Sequence, residues 1–528
     1  MKCLHTLLCL VSVLLLLLCA GCSAVTKLDS VSFVLEAEPA SLDPAKTTAL
    51  AESIPELHLF EGLTRLDRDN VPQPALAERW DISPDGKTYV FHLRPGIRWS
   101  DGTPITAADF EYSWKRVADS ATASENAYMM FPIVNAEAFS KGEAAADDMG
   151  VTAVDDRTLR VTLKNPTAYF LNLTAFHCYY PVPRRLVEEK PDTWAADAEG
   201  MIGCGPFVIK KWIHSSEITF EKNPQYWDAD HVRMSHMEFP ISDSQSTRLT
   251  LVESHQANMM VEPPPADQTR LEQMGLYKTA PFLGIYYYVF NVTKPPFDDK
   301  LVRKAFALSI QRQSLVQHIV RGEKQAAYAW VSPGMTDPAT GRDFREEGGN
   351  LMTEDSVQAK EALQQAGYNE AHPLPSVTLL FNTSEMNKAI AESMQAMWKE
   401  NLGVDVSLMN QETKVFMATR SKGDFQVARA SWIGDYADPM TFIDVFFDEE
   451  NDAQYHNKAY NAYVTAAKTT VDDKVRMEAM HKAEQILFDD YVIIPVYFTT
   501  QPYVVQPYVK GYAWSTLGTV DFKEAYVE

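Results

Sequence analysis

The chain has 528 residues, a formal net charge of −23 and 46% hydrophobic residues. An acidic balance with no basic patch argues against nucleic-acid binding and reads as a solvated surface. The length exceeds the ~250–300 residues at which a single core stops growing, so two or three lobes are expected.

Residues 1–22, MKCLHTLLCLVSVLLLLLCAGC, combine a basic start at Lys2, an apolar run, and the small residues Ala20 and Gly21 before Cys22. This is the pattern of a signal peptide. The tail LCAGC resembles a bacterial lipobox, in which Cys22 becomes the acylated first residue, although Cys19 stands where that pattern prefers Leu. Cleavage without acylation is the alternative. Several acyl chains anchor a protein stably where one does not. No later run approaches the ~20 apolar residues of a membrane span. The expectation is an exported chain held on the outer face of the cytoplasmic membrane, in the periplasm where the host has an outer membrane. After Cys22 only Cys178 and Cys204 remain. Export permits a disulfide between them, but spacing alone does not establish one.

Residues 23–30 read as a tether, and 31–35 as a strand that breaks before the prolines of EPASLDP. In DISPDGKTYVFHLRPGIRWSDGTPIT, Tyr89, Phe91 and Leu93 alternate on one strand face, and Asp85-Gly86 and Asp101-Gly102 mark tight turns. Thr106 followed by Asp109 predicts a capped helix start. TLRVTL (158–163) and EITFE (217–221) read as strands around GCGPF (203–207). PFLGIYYYVFNVTKPPF (281–297) reads as a long buried strand, and LVRKAFALSI (301–310) as an amphipathic helix. Residues 376–409 carry a strand–helix–strand unit whose crossover fits parallel pairing. A helix at about 473–488 precedes the apolar strand VIIPVYF. There is no internal repeat or low-complexity linker, so interleaved lobes are expected.

Catalytic and metal signatures are lacking. No GxSxG, HExxH, P-loop or GxGxxG occurs. His231 and His236 fall on opposite faces of a strand with no third ligand behind them. DRDN (67–70) reads as a hairpin tip. Asp472-Asp473 and Asp489-Asp490 sit at helix ends. No tuned acid–base pair stands out, so neither an enzyme nor a cofactor is indicated. One segment stays open on these grounds. SWIGDYADP (431–439) sets Asp435 between Trp432 and Tyr436, and a lone acid there suits a capped turn, a catalytic acid or a cation seat.

From about residue 31 to the C-terminus the chain closely resembles the oligopeptide-binding proteins of ABC importers, within the dipeptide-, oligopeptide- and nickel-binding cluster of extracellular solute-binding proteins. The resemblance rests on EPASLDP, FEGLTRLD, PALAERWDISPDGKTYVFHLRPGIRWSDGTPITAADFEYSWKR, GPF with NPQYW, YYYVFNVTKPPFDD, GDFQVARASWIGDYADPMTF and PVYF, in that order.

It implies an α/β, bilobal periplasmic-binding-protein-like fold with an inserted domain and a ligand cleft between the lobes. Lobe I would comprise 31–50, 184–283 and 504–528, the inserted domain 51–183, and lobe III 284–503. It further implies capture of short peptides by lobe closure and delivery to an ABC permease, by a monomer without cofactor. The peptide would be held by strand-like main-chain bonds. Asp435 would meet the ligand's α-ammonium group. Trp432 and Tyr436 would wall the cleft, with plain core aromatics as the alternative. Ala430, Ser431 and Ile433 would pair with the peptide main chain. Glu38, Cys204, Gly205 and Phe282 match cleft positions. Arg420 and Arg429 match basic positions, suited to the ligand C-terminus or to pairing with acids.

Four departures alter the pockets. Cys204 replaces an Asn, Val289 stands where some peptide binders have an acid, Thr413 replaces a Trp, and Asn126 replaces an aromatic. Two other readings remain: a sibling binder of a metal chelate, glycan or signalling peptide, and an extracellular peptidase or folding helper.

Overall fold

The computed structural model describes residues 29–322, 324–369, 371–447 and 451–528. The signal peptide, Cys22 and most of the tether lie outside the described residues.

The chain opens with β1 (Ser30–Val34), buried along its whole length, then the Leu50–Leu59 helix. A hairpin of β2 (Thr64–Leu66) and β3 (Pro72–Pro74) turns at 67–70, where Asp67 Oδ1 accepts from the amides of Asp69 and Val71. An antiparallel sheet follows, in the order β4 (Ala77–Ile82), β5 (Thr88–Leu93), β7 (Thr158–Thr162) and β6 (Val151–Asp155). Tyr89, Phe91 and Leu93 all point into its core, as their alternation requires. The Ala107–Ala118 helix covers this sheet. Its start is closed by the Asp109 carboxylate, which accepts from Thr106 N at 2.7 Å.

A larger, mixed sheet runs through the rest of the molecule. Its first part is β8 (Phe207–Ile213), β9 (Glu217–Lys222), β10 (His236–Pro240), β1 and β11 (Met259–Val261). Two long strands cross out of this half: β12 (Tyr277–Phe290) and, antiparallel to it, β17 (Ile493–Val505). The short β13 (Gln325–Ala326) lies on β17. Beyond β12 the sheet continues through β16 (Val427–Ile433), β14 (Val377–Asn382) and β15 (Val406–Gln411). β14 and β15 pair in parallel across the Glu385–Leu402 helix, as the crossover length requires. The Asp473–Asp489 helix leads into β17. Both long strands outrun the apolar runs that announced them, because each serves both halves.

The fold is bilobal. One core gathers residues between Val31 and Ala280 together with Tyr503–Ala525; a second gathers Leu283–Phe498. Residues of 51–183 share the first core, so that segment is not separated from lobe I by packing. The β12/β17 register breaks between Pro281 and Ile285, at the passage from one core to the other.

Cys178 and Cys204 are both free and buried, which corrects the disulfide allowed above. The Cys178 thiol rests 3.9 Å from Met129 Sδ, whereas that of Cys204 rests 3.8 Å from Glu61 O. Each occupies a different packed site.

Candidate functional site

A cavity of about 750 Å³ opens between the two halves. Its first wall is built by the loop and helix around Thr47–Leu57, the β2–β3 hairpin, Asn126, the 175–180 segment, Trp227 and the chain end at 511–524. Phe282, Ile433, Gly434 and Asp435 close it from the other side. The chain end at 511–524 meets four segments more than 300 positions away, at 47–57, 65–75, 126 and 175–180, in one wall.

The Asp435 turn is pinned from several directions. β16 ends at Ile433, and Gly434 N then donates to Leu283 O at 2.7 Å. A Cβ on Gly434 would lie 3.1–3.4 Å from Thr441, Leu283 and Phe442, so the backbone passes close beneath them. Thr441 holds the turn twice: its Oγ1 accepts from Asp435 N and its carbonyl from Trp432 Nε1, both at 2.9 Å. The structural acid of the DYAD run is Asp438. It accepts from Met440 N at 2.9 Å and forms a buried ion pair with Arg476, whose Nη1 lies 2.9 Å from Asp438 Oδ2.

Asp435 is thereby left with no capping bond to its carboxylate. Burial pushes the Asp435 carboxyl up to about 6, and the nearby Tyr128 hydroxyl, from the other half, holds it from rising further. A carboxylate disfavoured in the empty protein is poised to take a cation.

The β16 edge beside it is half used. Ala430, Ser431, Trp432 and Ile433 pair with Tyr287, Tyr286, Ile285 and Gly284 of β12. On the other edge, pairing with β14 stops at Ala428. Ile433 is half exposed at the cavity rim, whereas the Ala430 side chain is buried in the second core. Trp432 is half-buried against that core and does not line the cavity. Tyr436 stacks face to face on Tyr169 at 4.3 Å, joining the two halves behind the Asp435 turn.

Other expected site residues lie elsewhere. Glu38 accepts from Trp212 Nε1, His214 Nδ1 and Ser215 N, each at 2.8 Å, and thus ties β1 to the β8–β9 hairpin. Cys204 and Gly205 pack on the end of the Leu50–Leu59 helix, both amides donating to Leu59 O. A Cβ on Gly205 would come within 2.6 Å of His58 O, so close backbone approach explains the glycine. Arg420 pairs with Asp452 at 2.8 Å. Arg429 lies over the Tyr286 ring at 4.8 Å, and among the described residues no acid pairs with it. Phe282 does line the cavity, from the β12 register break, packed where Gly518 (φ +86°) leaves room for its ring.

Neither spacing nor resemblance picks out several groups beside the cavity. Tyr128, near Asp435, is one. Another is a buried charge cluster in which Arg65 reaches Glu61 at 2.9 Å and Asp521 at 2.7 Å, with Tyr226 and Trp227 donating to Glu61. Burial works against the Arg65 charge, but Asp521, Tyr226 and Glu61 outweigh it and raise its pKa.

Residues 71–454 match the model of bacterial extracellular solute-binding proteins, family 5. The chain belongs to this family. It is 37% identical to the dipeptide-binding protein DppE of Bacillus subtilis over 93% of this chain and 90% of that one. Among solved structures it is similar to the periplasmic murein tripeptide-binding protein MppA in its unliganded open form (TM-score 0.82, 33% identity, 94% and 97% of the two chains). It is also similar to Haemophilus influenzae OppA in complex with the peptide RPPGFSPFR (TM-score 0.74, 31% identity, 94% and 99%). The family places the chain among substrate-binding proteins of the cell exterior. Among the described residues no helix is long and apolar enough to cross a membrane.

Proposed function

We propose that this protein captures short peptides in the cleft between its halves and delivers them to an ABC permease. The observation that carries the reading is Asp435: a carboxylate with no structural duty, raised to about 6 by burial, at the rim of a 750 Å³ cavity. The ligand's α-ammonium group pairs with it, and a charge pair shielded as the lobes shut is worth more than a surface pair. The unpaired edge of β16 beyond Ala428 offers main-chain groups to an extended peptide, a mode that reads side chains loosely. Ile433 and Phe282 supply apolar walls.

The relatives' printed names, dipeptide- and oligopeptide-binding, agree with this chemistry. The better fit to the open MppA form supports a cleft that closes on ligand. Lobe I takes 31–50, 184–283 and 504–528, with 51–183 attached, and lobe III takes 284–503, a division that the two cores support except at Leu283 and Tyr503. The protein acts as a monomer without covalent chemistry. It is tethered through an acylated Cys22 on the outer face of the cytoplasmic membrane, a reading supported by the Ala20-Gly21-Cys22 tail.

Calorimetry with a tripeptide and its N-acetylated form tests the reading. Acetylation removes the ammonium and is expected to lower affinity at least a hundredfold. Equal affinities would refute the role of Asp435.

A further inference from the structure

The cavity that Asp435 lines is also lined by a polar side chain, that of Asn126. Asn126 opens the short turn Ala127–Met130 and shares the cavity lining with Asp435. It lines the cavity together with Thr47, Phe176 and His177. Its carboxamide is held in one orientation: Nδ2 donates to Thr47 O at 2.7 Å and lies 3.3 Å from His177 Nε2. Thr47 O only accepts, so the amino group of Asn126 faces it and the oxygen faces away. Among the described residues that oxygen has no partner. The neighbouring groups are packed. Thr47 is buried, and the His177 ring packs on Phe176 at 4.0 Å. Burial pushes His177 down to about 3, so it is neutral.

We propose that Asn126 is a specificity-determining residue that reads the first side chain of the ligand. This inference rests on the peptide reading above. A peptide whose ammonium sits on Asp435 has its first Cα beside the turn that holds both Tyr128 and Asn126. Its first side chain then enters a pocket floored by a fixed amide oxygen and flanked by the Phe176 ring. Such a pocket favours a neutral side chain that donates a hydrogen bond, such as Ser, Thr or Tyr, over its apolar counterpart. A site with a fixed acceptor discriminates against the analogue lacking the donor, because closure strips water from the oxygen and leaves it unpaired.

The test is calorimetry on the full soluble chain with paired peptides, Tyr-Ala-Ala against Phe-Ala-Ala and Ser-Ala-Ala against Ala-Ala-Ala. The wild type is expected to prefer the hydroxyl member of each pair about fivefold, the scale of one neutral hydrogen bond. In Asn126→Leu the preference within each pair should vanish. Asn126→Ala removes the same oxygen without adding bulk and carries the comparison should the Leu variant not fold. The proposal is overturned by equal affinities within each pair on the wild type. It is also overturned by a preference that survives in both variants, or by a uniform loss for all four peptides, which would mark Asn126 as a support of the Tyr128 turn. Failure of the wild type to bind any of the four would instead overturn the peptide reading itself.

Discussion

Binding should carry a proton signature that belongs to Asp435. In the empty protein burial raises this carboxyl to about 6, from an ordinary value of 3.8. An ammonium group placed against it favours the ionised form and lowers the pKa again. Ligand therefore displaces a proton below about pH 6, and affinity falls as pH drops through that value. At pH 5 roughly one empty molecule in eleven has the carboxylate ionised, so affinity falls about tenfold from its value at pH 7.5. Above about pH 8 the peptide amine itself loses its proton, and affinity declines again.

Asp435→Asn removes the acid-side fall. It also lowers affinity at pH 7 by about 3–5 kcal/mol, the usual cost of deleting one member of a buried ion pair. Titration calorimetry at several pH values, in buffers of differing ionisation enthalpy, reads both affinity and the proton released. A flat profile between pH 5 and 7.5 on the wild type, or an unchanged fall in Asp435→Asn, would refute the reasoning.

Tyr128→Phe takes away the hydroxyl that stabilises the ionised Asp435, so the midpoint of the affinity profile should move to higher pH, with about tenfold weaker binding at pH 7; an unmoved midpoint means the contact is not made in solution. Arg476→Met leaves Asp438 buried and unpaired, and thermal or denaturant unfolding should show a loss of about 3–5 kcal/mol. A loss below about 1 kcal/mol would mean that the pair does not hold the turn. In protein lacking residues 1–22, a thiol reagent without reductant should titrate both Cys178 and Cys204 after denaturation and neither before, since both are buried and burial raises both thiols. A denatured count of zero would restore the disulfide.

Where local physics sets the structure, the chain is legible residue by residue. Alternating Tyr89, Phe91 and Leu93, the Thr106–Asp109 start and the strand–helix–strand at 377–411 each satisfy a rule confined to a few neighbours. The two crossing strands extend beyond their local apolar runs, because their ends owe their pairing to the other lobe. Tyr277–Ala280 pair with 501–504, and nothing in the local apolar pattern announces that. Cys178 and Cys204 show the same limit from the other side. Export permits a bridge, but two thiols packed against Met129 and Glu61 have no reason to meet.

The site divides along the same line. Two acids of DYAD, Asp435 and Asp438, are equally suited by neighbourhood to cap a turn or to hold a cation. Asp438 is taken by Arg476, which arrives on a helix beginning at Asp473, and by the amide of Met440. Once that pairing is made, the backbone of Asp435 is spent on Thr441 and, among the described residues, its carboxylate has Tyr128 near it. Glu38 followed the opposite course. It stands just beyond β1, yet Trp212, His214 and Ser215 claim it for a hairpin. An acid becomes available to a ligand by what the rest of the fold declines to pair with it. That selection is made by residues tens to hundreds of positions away, so a spacing rule alone does not find it. This is also why Asn126, which its own segment marks only as standing in an aromatic's place, acquires a role only beside Thr47, His177 and the cavity that Asp435 lines.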